Sequence, residues 1–139
     1  MLSASARDLL ESNALAHLVT LNADGSPQVS CVWVGLDGDE IVCASMSRRV
    51  KIGNVERDPR VSISMQSPTR SERNLDDYLV VHGTARVTEG GAPELLQRLA
   101  HVYIGPDAVF PGPDAPPGFL MHIRVEKIGG AGPWTRPSD

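Results

Sequence analysis

Hydrophobic side chains recur along this chain with two different periods. At residues 3–11 and 93–104 they return every three or four positions, which is the spacing of one helix face. The first segment begins with a serine that can act as N-cap, and the second begins with Pro93, a residue favoured in a first helical turn. Both segments are therefore predicted to be short amphipathic helices.

Between and after these helices the period changes to two, as in β-strands. Apolar runs rich in β-branched residues are broken by the sequences ADGS and DGDE. Asp-Gly between such runs is a strong hairpin signal, because both residues tolerate the positive φ of tight hairpin turns. The pattern predicts six main strands, at residues 15–22, 28–36, 40–45, 61–66, 78–89 and 119–128.

Two of these strands indicate how the sheet is arranged. Residues 61–66 alternate between apolar and polar side chains, so one face is expected to meet a core and the other water or a small polar ligand. Gly83 lies in the middle of the strand at 78–89, where a glycine permits a bend or bulge. Six alternating strands with such a glycine favour a closed or nearly closed antiparallel barrel, since closure removes strand edges.

The remaining segments complete the expected fold. Residues 105–118 are too rich in Pro and Gly for regular structure and are predicted to form a loop over a surface or a partner chain. Residues 130–139 form a tail that carries one exposed tryptophan, Trp134. The fold class is thus mainly β with short helices: a six-stranded antiparallel barrel in one domain over residues 1–139.

Composition narrows the function without naming it. The chain has 139 residues, 41% of them hydrophobic and 22% charged, and its net charge of -4 gives no general reason to expect nucleic-acid binding. No apolar run approaches the roughly 20 residues of a membrane span, so a cytoplasmic protein is expected. Cys31 and Cys43 lack a CxxC or His-rich companion, so no zinc site is predicted and both are interpreted as small buried hydrophobes.

No catalytic motif is present, and only one segment concentrates polar groups. GxSxG, HExxH, P-loop and GxGxxG patterns are all missing, so no catalytic residue is assigned. A short cationic helix is predicted after the strand at 40–45, and its start carries Arg48, Arg49 and Lys51. Cations at that end cost about 0.3–1 kcal/mol each, because a helix N-terminus is already positive.

An anion bound at this helix start would explain the arrangement. Ser45 and Ser47 supply hydroxyls and an N-cap, the first N–H groups are free, and a guanidinium can bind phosphate oxygens in pairs. The alternative is a solvated face in which the three cations pair with Asp37, Asp39 or Glu56. The segment alone leaves both interpretations open.

The order of these segments resembles a known family. LVTLNADGSPQVSCVWV, then IVCASMSRRVKIGNVERDPRVSISM, then HGTARV are similar to the split β-barrel flavin and deazaflavin oxidoreductases related to pyridoxamine 5'-phosphate oxidase. The resemblance spans residues 14–128 and is closest to the small branch that uses the deazaflavin coenzyme F-420. Its most specific part is K-x-x-N-x-x-x-D-P-R, at Lys51, Asn54, Asp58, Pro59 and Arg60.

The resemblance implies a set of site residues. Arg49 and Lys51 would hold the cofactor's phosphate, residues 45–48 would line the ribityl-phosphate path, and Asn54 would belong to the same site. Residues 28–33, including Ser30 and Cys31, would contact the ring. The resemblance also implies a homodimer with two cofactor sites at the interface. Tyr78 and the C-terminal tail of the other subunit, at the position of Trp134, would close each site.

The sequence departs from the family pattern at two places, and the resemblance leaves three possible functions. A longer polar residue is common in the family where Cys31 stands, and only WTRP faintly matches the C-terminal substrate ligands of the longer oxidases, which argues against vitamin B6 oxidation. The implied activity is hydride transfer from reduced coenzyme F-420 to an unsaturated or conjugated small molecule, with the proton from water, Tyr78 or Ser30. The alternatives are an FMN-dependent oxidoreductase on the same scaffold and a carrier that binds the cofactor without turnover.

Overall fold

The computed structural model describes residues 2–70 and 75–135. Within these ranges the chain forms three α-helices, seven strands and a terminal 3₁₀ helix. In chain order they are α1 (Ala4–Leu10), β1 (Ala16–Leu21), β2 (Pro27–Val32), β3 (Gly35–Asp37), β4 (Glu40–Ser45), α2 (Val50–Arg57), β5 (Arg60–Arg70), β6 (Asp76–Glu89), α3 (Ala92–Tyr103), β7 (Phe119–Ala131) and the 3₁₀ helix Pro133–Thr135.

All strands belong to one antiparallel sheet in the order β2-β1-β5-β6-β7-β4-β3. The sheet is not closed by hydrogen bonds, so of the predicted closed or nearly closed barrel the fully closed form is wrong. Its two edge strands, β2 and β3, are nevertheless consecutive in the chain and separated only by Trp33 and Val34. The sheet must therefore curl until its edges nearly meet, which is the split form of a barrel.

The strand predicted at 28–36 is in fact two strands, which raises the count from six to seven. The chain leaves β1 after Val32 and joins β4 at Gly35, at the opposite edge of the sheet. At the crossing, the N–H of Val34 donates to the Tyr103 hydroxyl at 3.1 Å instead of to a neighbouring strand. Period-two alternation cannot reveal such a crossing, because the chain stays extended through it.

Glycines permit two close approaches in this sheet. The register of β6 on β7 shifts between His82 and Gly83, which confirms the predicted bend, and a Cβ at Gly83 would collide with the Arg124 carbonyl. A Cβ at Gly35 would meet Arg98 and Leu99 of α3 at 2.9 Å. Both glycines therefore allow backbone and side chains to approach more closely than any other residue would.

The helices cover different parts of the curled sheet. The predicted N-cap of α1 is confirmed, since the Ser3 hydroxyl accepts a hydrogen bond from the Ala6 N–H at 3.3 Å. Helix α2 buries Ile52 and Val55 in the main core. Helix α3 packs its apolar face on the outside of β4 and β7, in a second cluster formed by Val42, Leu95 and Leu99 with Trp33, Ala44, Tyr103 and Leu120.

The side of β2, β1, β5 and β6 that points away from the core is called here the outer face. It carries a mixture of polar and apolar side chains. The register places Cys31 beside His17 and Val29 beside Val19, and all four side chains point away from the core. Val29 is 58% exposed and Tyr78 45% exposed. Because this surface includes the edge strand β2, it extends to the crossing at Trp33.

Candidate functional site

The turn between β4 and α2 is fixed by its own serines. The Ser45 hydroxyl donates to the Ser47 carbonyl at 2.6 Å, and the Arg49 N–H donates to the same carbonyl at 2.9 Å. Arg49, rather than Ser45 or Ser47 as predicted, occupies the N-cap position of α2, and its side chain makes no capping bond. The serines therefore fold the turn, and the helix start carries cations with no acidic residue in its first turn.

A cavity of about 280 Å³ opens beside this turn. One wall comes from the end of β4, the turn and α2, and the other from the β2–β3 crossing, α3 and the loop that follows α3. Its lining residues are Cys31, Val32, Trp33, Ala44, Ser45, Met46, Arg49, Lys51, Leu96 and Phe110. Four predicted site residues, Cys31, Ser45, Arg49 and Lys51, are thus brought together.

Arg49 and Lys51 make no ion pair with any residue in the described part of the chain. Arg49 is exposed and Lys51 half-buried. Burial raises the pKa of the Cys43 thiol to about 11, while the positive charge of Lys51 acts in the opposite direction. The cysteine therefore stays a neutral thiol, so it does not neutralise the cations of the cavity.

Arg48 is directed differently from its neighbour Arg49. Its guanidinium forms an ion pair with Glu56 and lies 5.6 Å from the centre of the Phe119 ring. It does not line the cavity. For Arg48, therefore, the structure supports the alternative of a surface ion pair over the predicted cofactor contact.

Asn54 is buried in a network that ties α2 to β1. Its amide donates to the Thr20 hydroxyl at 3.0 Å and to the Asn22 side-chain oxygen at 2.9 Å. Its own oxygen accepts from Arg57 at 2.8 Å, and Arg57 also donates to the Leu21 carbonyl. Both amide hydrogens are used inside the protein, so Asn54 fixes α2 against β1, while its implied cofactor contact stays a prediction.

The two predicted ring contacts on β2 lie in different environments. Cys31 is exposed, which corrects the interpretation of both cysteines as buried, and it lines the cavity. Ser30 points to the other side of the strand, where its hydroxyl is buried without a hydrogen-bond partner among the described residues. The cavity therefore receives Cys31 and not Ser30.

Tyr78 and Trp134 lie together but apart from the cavity. Tyr78 lines a second pocket of about 590 Å³ on the outer face, with His17, Ser64, Met65, Gln66, Leu75 and Asp76. The Trp134 indole N–H donates to the Tyr78 carbonyl at 3.1 Å, and its ring packs against the main core. The prediction of an exposed Trp134 is corrected, because the 3₁₀ helix docks it on its own subunit; residues 136–139 of the predicted tail lie outside the described residues.

The aromatic wall of the cavity was predicted only in part, since Trp33 lies within the implied ring contacts at 28–33 whereas Tyr103 and Phe110 were not among the predicted site residues. Trp33 stacks on Tyr103 at 5.2 Å between ring centres, and Phe110 meets Trp33 edge-on at 5.7 Å. The chain contains only two Trp, two Tyr and two Phe, so half of its aromatic residues meet at this place. Because aromatic residues are so few in this chain, each of them could have been considered as a site residue. Their distance from one another in the sequence gave no indication that they form a cluster.

Other candidate chemistry is sparse. No group of three His, Cys, Asp or Glu side chains that could hold a metal ion occurs among residues 2–70 and 75–135. The Ser62 hydroxyl and His82 Nδ1 are 2.7 Å apart, on the exposed outer face. No helix in the same ranges is long and apolar enough to cross a membrane.

The curled sheet with a cationic cavity at the start of α2 defines the split β-barrel class, whose members bind flavin or deazaflavin cofactors. A family model, pyridoxamine 5'-phosphate oxidase, matches residues 2–131. The chain therefore belongs to the pyridoxamine 5'-phosphate oxidase family, a flavin-type oxidoreductase family.

Solved structures agree with this assignment. The chain is similar to an F-420 reductase, with 27% identity, a TM-score of 0.74 and coverage of 88% of this chain and 94% of that one. HupZ from Group A Streptococcus has 23% identity and a TM-score of 0.66, with 94% of each chain covered. A conserved hypothetical protein from Mycobacterium tuberculosis has 22% identity and a TM-score of 0.71, covering 94% of this chain and 84% of that one.

The last two similarities concern the fold alone. No curated protein matches the sequence significantly.

Proposed function

We propose that this protein is an oxidoreductase that uses reduced coenzyme F-420 to transfer hydride to an unsaturated or conjugated small molecule. The observation that carries the proposal is the cavity in which Arg49 and Lys51 meet an aromatic wall. The similarity to an F-420 reductase supports the choice of deazaflavin.

The cationic wall fits a phosphate. Helix α2 begins with two cations and no acidic residue, so its N-terminal charge is uncompensated within the described chain. The first N–H groups of a helix have no intrahelical partner, and together with the dipole they attract anions. A phosphate would satisfy these N–H groups and pair with Arg49 and Lys51, which removes the electrostatic cost of their position.

The apolar wall fits the ring system. Trp33, Leu96 and Phe110 offer flat or aliphatic surface, and Cys31 lies beside them. A bound reduced deazaflavin supplies the hydride, and water supplies the proton that completes a two-electron reduction. The protein's own residues bind the phosphate, orient the ring and exclude solvent, which agrees with the absence of a catalytic motif in the sequence.

A homodimer is part of the proposal. The cavity of about 280 Å³ is slightly smaller than most ligand pockets, which have about 300–1,000 Å³, so one subunit buries only part of a large cofactor. Cys31 belongs both to the cavity and to the outer face, so the cavity opens at the edge of that face. Pairing of two outer faces about a two-fold axis would cover the part of the cofactor that one subunit leaves exposed. It would also bring Tyr78 to the interface.

The cofactor assignment is tested by titration of the purified protein with coenzyme F-420 and with FMN, followed by fluorescence. We expect F-420 to bind at micromolar concentration or below, and the reduced form to be oxidised by at least one of a panel of enones and quinones. Absence of F-420 binding overturns the proposal. Binding of FMN alone would indicate the flavin enzyme, and F-420 binding without any turnover would indicate the carrier.

The dimer is tested by light scattering after size exclusion. We expect the wild type to have twice the mass of the chain and Val29→Glu to be monomeric, because a charge would then be buried at the interface. Val29 is exposed in the single subunit, so this variant should still fold. A monomeric wild type, or a dimeric variant, would contradict an interface on the outer face.

A further inference from the structure

The second pocket, on the outer face at Tyr78, has no ligand in the proposed function. Its volume of about 590 Å³ is within the usual range of ligand pockets, about 300–1,000 Å³. Its described lining includes no Lys or Arg, and its one carboxylate, on Asp76, accepts a hydrogen bond from the Gln66 amide at 2.6 Å. Leu75 adds apolar surface and is 58% exposed. An uncharged molecule therefore suits this pocket better than an anion.

The strand register connects the second pocket to the cofactor cavity. Strand β1 lies between β2 and β5, and it places His17 opposite Cys31 on one side and opposite Ser64 on the other. Cys31 lines the cavity, whereas His17 and Ser64 line the second pocket. Neighbouring strands are about 4.8 Å apart, so the second pocket begins one strand spacing from the cavity wall.

The volumes of the two spaces assign them to different ligands. The cavity of about 280 Å³ holds only part of the cofactor, so it has no room for a substrate as well. The substrate must nevertheless contact the cofactor ring, and the second pocket adjoins the cavity at Cys31.

We propose that the second pocket is the substrate site, that its ligand is an uncharged conjugated carbonyl compound, and that His17 gives a proton to the reduced substrate. The assignment to the substrate rests on the proposed function. The existence of a site for an uncharged carbonyl compound does not, and it can be tested without cofactor.

His17 is the proton donor that lies closest to the cavity. It is exposed, and its ring makes no hydrogen bond with any residue in the described part of the chain. Tyr78 is another donor in the pocket, but it lies on β6, three strands from Cys31, whereas His17 is one strand away. Hydride reaches the substrate at the end that meets the cavity, and the carbonyl oxygen of a conjugated compound lies only a few bonds further. His17 is therefore placed beside that oxygen.

The proton transfer completes the reduction. Hydride added to the β-carbon of a conjugated carbonyl compound moves the carbon–carbon π electrons toward oxygen and leaves an enolate. The imidazolium form of His17 loses an N–H proton to the enolate, becomes neutral and regains a proton from water. His17 thus carries the proton from water to the substrate, and the reduced deazaflavin of the proposed function supplies the hydride.

The site is tested first without cofactor, by equilibrium dialysis of the protein against coumarin, an uncharged conjugated carbonyl probe. We expect Ser64→Phe to weaken coumarin binding about tenfold or more, because the new ring fills the pocket. Ser62→Phe is the matched control, since Ser62 is equally half-buried on the same strand and face but does not line this pocket. Light scattering should give both variants the same mass. No binding by the wild type, or equal binding by the two variants, overturns the site.

A second pair of variants avoids the added volume. Leu75→Ala removes apolar surface from the pocket and should weaken coumarin binding about threefold. Val29→Ala is its control, because Val29 is also 58% exposed on the outer face but does not line the pocket. If Ser64→Phe does not fold, equal binding by Leu75→Ala and Val29→Ala overturns the site.

Dialysis with saturating coenzyme F-420 then separates substrate from cofactor. We expect coumarin to bind as well as before, and Ser64→Phe to bind the cofactor as tightly as Ser62→Phe does. Displacement of coumarin overturns the assignment to the substrate, because the cofactor then occupies the second pocket. Failure of the cofactor to bind would overturn the proposed function, while the dialysis without cofactor would still decide whether the site exists.

Steady-state kinetics with an enone that the wild type reduces tests His17. We expect His17→Ala to lower kcat about a hundredfold, the lower end of the contribution of a general acid, and to change the dissociation constant of coumarin less than about threefold. Added imidazole should restore part of the kcat. His82→Ala is the control, because His82 is also exposed on the outer face but lines a different pocket.

Three results would overturn the role of His17. They are a loss of kcat no larger than that of His82→Ala, a fall in coumarin affinity as large as the fall in kcat, and the absence of any rescue by imidazole. No turnover of any enone would overturn the proposed function and this role together. The binding of coumarin without cofactor would still decide whether the second pocket is a site.

Discussion

The two ends of α2 use polar side chains in opposite ways. At its start, Arg49 and Lys51 line a cavity and have no ion-pair partner in the described chain. At its end, Asn54 makes three hydrogen bonds to side chains, and Asp58 accepts two bonds from the Arg60 side chain, at 2.8 and 3.1 Å, and one from its backbone N–H. All of these except Arg49 belong to one sequence motif, K-x-x-N-x-x-x-D-P-R.

The difference indicates that one motif can combine a residue that we propose to bind the cofactor with residues that stabilise the fold. Its lysine has no ion-pair partner among the described residues, whereas its later members use their polar groups to fix α2 against β1 and to lead the chain into β5. Only the hydrogen-bond partners in the structure distinguish these two roles. Residue type and spacing in the sequence do not distinguish a binding residue from a structural one. Perturbing each end should therefore affect different measurements.

The largest effect is expected for Asn54→Ala. Asn54 is 4% exposed, and its loss leaves donors and acceptors of Thr20, Asn22 and Arg57 with fewer partners. We expect the free energy of unfolding in urea to fall by about 2–4 kcal/mol. Asn13→Ala is the control, since Asn13 is exposed, and it should stay within about 0.5 kcal/mol of the wild type. A stable Asn54→Ala protein with weakened cofactor binding would make Asn54 a ligand after all.

Lys51→Ala should produce the reverse pattern. It removes a charge-assisted hydrogen bond to the proposed phosphate, so cofactor affinity should fall by about 1.5–3 kcal/mol while unfolding in urea is nearly unchanged. Lys127→Ala is a matched control, because these are the two lysines of the chain and Lys127 is exposed on β7. An unchanged dissociation constant for Lys51→Ala would return this lysine to a solvated role.

Asp58 adds a pH test of the structural end. Hydrogen bonds from the Arg60 side chain, followed by the bond from its backbone N–H, lower the pKa of the Asp58 carboxyl from 3.8 to about 2. Because the pKa of Asp58 is lowered in the folded state, its carboxylate contributes fully to the free energy of unfolding above about pH 4. This contribution is lost as the pH falls toward 2. Asp58→Asn should therefore be less stable than the wild type at pH 7, and the difference should shrink below pH 4. A difference that stays constant down to pH 3 would show that charge is not its source.

Much of the fold could be predicted, because burial imposes periods on the sequence. The helices at residues 3–11 and 93–104 and the alternation of β5 follow directly from side chains that must face a core. The crossing at Trp33 and Val34 could not be predicted, since an extended chain that changes partners has the same local pattern as one that does not. The seventh strand and the open sheet both result from that single crossing.

The candidate site was predicted on its cationic side and, apart from residues 28–33, missed on its aromatic side. Arg49 and Lys51 are close in sequence and unfavourably placed, so local electrostatics reveals them. Trp33, Tyr103 and Phe110 come from three separate segments and meet only through tertiary packing. The partial burial of Trp134 was missed for a similar reason, because its bond to the Tyr78 carbonyl spans 56 positions of the chain.

Arg48 and Arg49 give the finest test of the comparison, because they are adjacent and identical in type. Loss of Arg48 removes an exposed ion pair with Glu56, worth about 0.2–1 kcal/mol, and a contact with the Phe119 ring, worth about 0.5–1 kcal/mol. It also removes a cation beside a helix start, which returns about 0.3–1 kcal/mol. Arg48→Ala should therefore change the free energy of unfolding by less than about 1 kcal/mol in either direction and leave cofactor affinity unchanged.

Arg49→Ala, by contrast, should weaken cofactor binding about as much as Lys51→Ala does. A double-mutant cycle of Arg48→Ala with Glu56→Ala should give a coupling of about 0.2–1 kcal/mol that diminishes in high salt. If Arg48→Ala and Arg49→Ala weakened the cofactor equally, the ion pair with Glu56 would have to open on binding. The distinction between paired and unpaired cations, on which the assignment of Arg49 and Lys51 depends, would then fail at the residue where it is easiest to measure.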